Sequence, residues 1–424
     1  RLWLTTCGSS SAVIADPVTV KTQWLLNELL VSDWASVLGY VCLLGELFFL
    51  FQVGVTKVTC VFLSWLNEVL DGYNYWCAIV LIILVGYAIF LFPPVPGVPV
   101  YLFSGVVLSQ QAPPSVGFFG GCAVAVAVAF VLKLVACTGQ YAIGYYLARS
   151  VKIQQLIGVD KVFTRAIEDI LKRPGLDKAK VAVLVGGPDW PVSVTCGILR
   201  LDVPQVIWGT CPVIFVLLPC VLAGASMGKA SEEDGRKSLT DLLTQLFIGL
   251  SAFLQMASMF LAVYYTTLVI DTKSEELAKP RPEHNAVRRL TEQEERYNSA
   301  HKAVTCWSVL SVWWEALIVM AALLMWLSGC IFTFRGSECF REFRINSRIG
   351  DSFEKGGLEG NVLDLMLPLG WVAMAIFCVA GFLHGAFLLG MSKLAHQRLE
   401  ECPSEVEMLS MRRPKPEEQP ALAA

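Results

Sequence analysis

Lys133 stands inside a long apolar run, preceded by Gly117, Gly121, Ala125 and Ala129 at steps of four. On a helix that spacing builds one ridge of small residues, the kind of surface along which a second membrane helix packs closely. Lys133 continues the ridge, so it is expected to face protein or a cavity rather than lipid. A charge at membrane depth marks a functional site by default, and a lysine reaching toward water from the end of a long helix is the competing reading. Asp189 lies between Pro188 and Pro191 and is the only acid in either of two Pro/Gly-broken apolar stretches, 93–110 and 181–199. A carboxylate there has the chemistry to pair with Lys133, to hold a headgroup amine or a cation, or to cap the amides freed after Pro188. Glu46 and Glu315 are lone acids in apolar runs, readable as function or as hydrogen-bonded glue between helices, and His384 reads as structural.

Other chemistries find little footing. Residues 224–228 fit GxSxG, but a nucleophile elbow needs a strand before the serine and a helix after it, and this stretch ends a membrane helix. There is no phosphate loop and no HExxH pattern. Fourteen cysteines are scattered without a CxxC pair, beside four histidines, so no metal or cofactor is expected and the chain does not read as an enzyme. Cys330 and Cys339 flank a polar loop where a disulfide is an open option.

The elements that must position these residues are membrane helices. The chain of 424 residues is 55% hydrophobic and 16% charged, with a mean hydropathy of +0.58. Soluble domains carry about 25% charged residues, so this is an integral membrane protein. A span needs about 20 apolar residues. The runs at 34–55, 76–92, 115–147, 204–227, 239–270, 304–332 and 362–391 give six or seven. Trp34, Trp76, Tyr264 and Tyr265 sit near span ends as interface anchors. Residues 148–180 carry an amphipathic helix that ends at Pro174 and Gly175, 271–303 a charged soluble helix, and 399–424 a Pro- and Glu-rich tail read as disordered. Lys and Arg number eight in 148–180, seven in 271–303 and five in 392–424, against three in 228–238 and five in 333–361. The positive-inside rule places the richer side in the cytosol. No basic patch points to nucleic acid.

The two broken stretches match each other. Pro96, Gly97 and Pro99 superpose on Pro188, Asp189 and Pro191, and Gly105 and Gly197 each lie six residues past the second proline. One stretch opens from the outer side and the other from the cytosol. This pattern is that of two opposed re-entrant loops, an inverted repeat whose half-helices meet at mid-membrane. Proline-kinked helices within a bundle are the alternative. Irregular backbone survives at that depth only where it lines a cavity or is buried in protein.

These segments resemble a known family. "FPPVPGVPVYLFSGVVLS" followed by "GQYAIGYYLARS" is similar to the first half, and "GGPDWPVSVTCGILRLDVPQVIWGTCPVIFVLLP" to the second half, of the DedA or VTT-domain family, also called SNARE-associated Golgi proteins. The likeness covers about 76–228. It implies movement of phospholipids between leaflets without ATP, or recycling of polyprenyl-phosphate carriers in bacterial members, and an endomembrane such as the endoplasmic reticulum or Golgi. The acid that bacterial members carry after the first Pro-Gly is Val98 here, and Gly186 and Gly187 stand where they carry an arginine. Both departures weaken a proton-driven reading.

The expectation is therefore an all-α polytopic membrane protein in four parts: 1–75 with the first span, the 76–228 core, 229–398 with additional spans, and the tail. Its function is expected to be lipid scrambling along a path formed by Pro96, Gly97, Pro99, Gly105, Lys133, Pro188, Asp189, Pro191, Ser193 and Gly197, with Ser104 and Thr195 as further polar contacts. Phospholipids are the expected partners, with a homo-oligomer or larger assembly left open. The alternatives are an ion- or proton-coupled transporter of a small anion and a structural subunit of a larger assembly.

Overall fold

The computed structural model describes residues 33–401 apart from Pro94, Pro96, 233–236, Ser308, Arg344 and Asn346. Regular structure among them is helical, with one isolated bridge between Phe340 and Met366. Six helical stretches are long and apolar enough to cross a membrane: Trp34–Leu70, Gly117–Leu147, Val203–Gly228, Thr240–Ala278, Val312–Phe334 and Pro368–Glu400. The chain is accordingly an integral, multi-pass helical membrane protein.

The helix α1, Trp34–Leu70, runs well past the expected end at 55 and contains a π-helical stretch, Phe49–Val55. Its second half continues because its polar residues find protein partners. Ser64 donates to the Ser347 carbonyl at 2.5 Å, Glu68 accepts from the Ile349 amide, and Asp71 pairs with Arg348 at 2.6 Å. Helix α2, Tyr75–Leu91, has 17 residues, about 26 Å, and falls outside the six. Helix α3, Gly97–Gln110, follows it. The sequence reads 93–110 as too short and too broken to span; from Gly97 it forms one helix of 14 residues, which is not among the six long ones. Pro99 occupies its third position, where the amide has no partner within the helix. Helix α4 is Gly117–Leu147.

The linker holds α5, Val151–Ile157, and α6, Val162–Lys172. Next come α7, Lys178–Gly186, and α8, Asp189–Ile198, with Pro191 again third. Helix α9, Val203–Thr210, leads through a 3-10 turn into α10, Ile214–Glu232. Helix α11 is Lys237–Ala278 and α12 is Asn285–Thr305. The expected span at 304–332 starts later, as α13, Val312–Phe334, because 285–305 is charged and forms its own helix. Helix α14, Pro368–Glu401, continues past the expected 391. The tail from 402 lies outside the described residues.

The contacts define two ends. At one, Gln111 bonds Asp71 at 3.4 Å, Gly228 packs on Gln110, and the segment 340–365 covers the end of α1. At the other, Glu168 meets Arg281, Gln155 meets Glu294, and Tyr297 meets Ser392. Segments 148–180 and 271–303 and the described residues 392–401 thus share one end. The first helix packs with the last two, where Ala35, Cys42, Ile318, Phe387 and Met391 form one cluster. Cys330 and Cys339 are both free thiols, so the disulfide left open by the sequence is not formed.

Helices α3 and α8 are each gripped by the long helix of the other half. A Cβ on Gly105 of α3 would strike the Val221 carbonyl of α10, and one on Gly224 would strike Leu102. Likewise, a Cβ on Gly197 of α8 would strike the Tyr141 carbonyl of α4, and one on Gly144 would strike Val194. Two reciprocal glycine crossings therefore fix the broken stretches by backbone-to-backbone approach. The ridge on α4 packs on α3, with Gly121 against the Leu108 carbonyl and Ala125 and Ala129 fully buried.

Candidate functional site

Lys133 sits mid-way along α4 and its side chain is 3% exposed. Its ammonium meets the Asp189 carboxylate at 2.8 Å, and Asp189 is 36% exposed. Asp189 is the first residue of α8, where the free amides of a helix start favour a carboxylate. The ridge spacing buried Lys133, the proline break put Asp189 at a helix tip, and the fold joins them.

The two breaks meet at a cavity of about 720 Å³. Pro93, Val95 and Gly97 come from the first break and residues 187–191 from the second. Helices α10 and α11 add Leu217, Cys220, Ser251 and Gln255, and the π-helical stretch of α1 adds Phe51 and Gln52. Gln140 reaches in from α4 and donates through Nε2 to the Phe90 carbonyl at 2.8 Å. That carbonyl ends a helix and lacks an intrahelical partner. Among the described residues, three wall residues carry a buried polar atom with no hydrogen-bond partner: Gln140 Oε1, the Tyr101 hydroxyl and Trp190 Nε1. Gln140 is 1% exposed and Tyr101 5%. The Phe90 and Tyr101 rings lie 5.5 Å apart.

Of the expected path residues, Gly97, Pro188, Asp189 and Pro191 line the cavity. Lys133 stands behind the wall as the partner of Asp189. Pro99 is in the first turn of α3, and Gly105 and Gly197 serve the helix crossings. Ser104 donates to the Tyr101 carbonyl and Ser193 toward Cys137 Sγ at 3.5 Å; neither they nor Thr195 are on the wall. Pro96 lies outside the described residues. Sequence reasoning passed over Tyr101, Gln140, Trp190 and Gln52. The amides in apolar runs were the available signal, since a glutamine there needs a partner.

A second polar contact joins the first and last spans: His384, buried in α14, lies 2.8 Å from the Glu46 carboxylate of α1. Glu315 sits in the first turn of α13, an acid complementing the helix dipole. Lys180, fully buried in α7, was also missed; it donates to the Arg173 carbonyl at 2.9 Å and Gln205 Oε1 at 3.1 Å. Ser226 of the GxSxG match lies within α10 and shares a 2.8 Å hydrogen bond with Thr244.

Outside the spans, α6 is clasped to the end of α11. Glu168 pairs with Lys172 and Arg281, Asp169 with Lys273 and Arg173, and Arg165 donates to the carbonyls of Leu277 and Lys279. Burial opposes ionisation of Glu168 and Asp169, but these cations outweigh it and hold both carboxyls below their ordinary values.

Compared with protein-family models, curated proteins and solved structures, the chain finds no significant match.

Proposed function

We propose that this protein moves phospholipids between leaflets without ATP, along a path whose polar step is the cavity between the two breaks. The observation that carries this reading is the cavity itself: a space of about 720 Å³ at the meeting of two proline breaks, with Asp189, Tyr101, Gln140, Trp190, Gln52, Ser251 and Gln255 on a mainly apolar wall. A headgroup needs polar contacts at mid-depth while its tails stay among apolar residues. Leu217, Met256 and Met259 offer the apolar part.

The two breaks act as opposed re-entrant hairpins in this reading. Its support is that α2 and α3 leave and return at one end, where Gln111 meets Asp71, while α7 and α8 leave and return at the other, where Tyr141 bonds the Leu201 carbonyl at 2.7 Å. The resemblance of 76–228 to the DedA and VTT-domain proteins belongs to the same proposal, as does an endomembrane location.

Purified protein in liposomes should speed exchange of labelled phospholipids between leaflets with neither ATP nor a pH gradient. No exchange above empty liposomes from folded protein sinks the proposal. The Lys133–Asp189 pair also suits a proton- or ion-coupled carrier, because an ion pair at membrane depth is a common coupling device. Flux that requires an imposed proton gradient would decide for that reading.

A further inference from the structure

We propose that the cavity is a seat for a phosphate-borne ammonium group, the headgroup of a zwitterionic phospholipid. This rests on the lipid-translocation reading and narrows its substrate. Acceptors come first. Lys133 engages one Asp189 oxygen, and the Asp189 side chain, part of the cavity wall, remains 36% exposed. Gln140 has spent its amide nitrogen on Phe90 and holds a buried, partnerless oxygen. The partial negative charge of that oxygen adds to the charge of Asp189 as an electrostatic attraction for a cation, whether or not the cation carries an N–H.

Aromatic faces come second. Phe90, Tyr101 and Trp190 all contribute to the wall. Ring faces attract ammonium ions most strongly where water is scarce. The Tyr101 hydroxyl and the Trp190 indole N–H are buried donors without partners in residues of this wall, and a side-chain rotation would turn them to phosphate oxygens. The third consideration is charge. Among the described residues no Lys, Arg or His lines the cavity, and the nearby Lys133 and Asp189 neutralise each other. Because the Lys133–Asp189 pair is neutral as a unit, a net anion would enter a space that offers it no uncompensated positive charge. A phosphate that carries an ammonium supplies the missing charge itself.

The test is binding in a neutral maltoside detergent, read by calorimetry. Dihexanoyl phosphatidylcholine, dihexanoyl phosphatidylglycerol and soluble glycerophosphocholine are the probes. The choline lipid should bind at least about fivefold more tightly than the glycerol lipid, a ratio within reach of a desolvated ammonium on aromatic faces. Replacing Lys133→Met and Asp189→Asn together removes both charges without stranding either, so the fold survives, and should bring the ratio close to one. Tyr101→Phe should weaken both lipids alike and leave the ratio intact, because both carry phosphate. Equal binding of the two lipids, or an unchanged ratio in the double variant, overturns the proposal. So does glycerophosphocholine binding as tightly as the choline lipid, since the source is then a soluble zwitterion. Failure of the two readings is separable. Headgroup-selective binding without exchange in vesicles removes translocation and keeps the seat, whereas exchange that is blind to headgroup, with equal binding, removes the seat and keeps translocation.

Discussion

Lys133 is buried in an apolar helix and depends on one carboxylate. Removing one member of a buried pair leaves an uncompensated charge, at a cost of about 3 kcal/mol. Lys133→Met and Asp189→Asn should each lower thermal stability, with the Asp189 change the larger because it strands the more buried group. The double variant should lose less than the sum of the singles, the mark of residues in direct contact. Additive losses in a detergent melting series would remove the pairing from the account. Tyr101 offers the opposite case. Its hydroxyl is buried and unbonded, so Tyr101→Phe should leave the melting temperature unchanged or raise it, by up to about 1 kcal/mol of stability, while lipid exchange slows. A clear loss of stability would mean that the hydroxyl has a structural partner.

Among the helices, close packing and open surface should respond oppositely to the same change. Gly105→Ala pushes a methyl into the Val221 carbonyl at the α3–α10 crossing. Overpacking of this kind costs about 1–3 kcal/mol, and here the obstacle is backbone. Gly249→Ala in α11 meets nothing within 4 Å and should gain about 0.5–1 kcal/mol from helix propensity. If both alanines behave alike in thermal melts, the crossing does not depend on that approach. The α6 clasp gives a pH prediction. Glu168 and Asp169 have folded values below their ordinary 4.5 and 3.8, so their contribution is fully present above those values and is lost as pH falls through the folded ones. Hydrogen exchange of 162–172 should stay slow from neutral pH to about 5 and rise sharply only below the ordinary carboxylate range. Glu168→Gln should raise it even at neutral pH.

For the molecule as a whole, the two ends must face different compartments if six long helices cross a membrane. Ser274 and Ser352 are exposed on opposite ends. In a background lacking the exposed Cys77, Cys306 and Cys378, Ser274→Cys should react with an impermeant maleimide only from the cytosolic face. Ser352→Cys should react only from the other. Labelling of both from one side would overturn the topology, and with it the assignment of the basic end to the cytosol.

Composition alone fixed the class of this protein, because a chain that is 55% hydrophobic and 16% charged cannot be wetted on all sides. Periodicity fixed what each residue had available: steps of four buried Lys133, and matched Pro/Gly spacings put the third-position prolines at the starts of two short helices. Helix ends escaped the hydropathy pattern. Residues 56–70 stay helical through contacts with a segment nearly 300 positions away, and no local window registers such partners. The glycine crossings and the cavity wall depend on the same kind of long-range meeting. Gly105 is a plain small residue until α10 lies against it. Tyr101 and Gln140 are ordinary members of apolar helices until the fold sets them in one wall with a buried polar atom of each unpaired. A side chain's type is written in the chain, but the partner that satisfies it or leaves it unpaired is set by which helices the tertiary fold brings together.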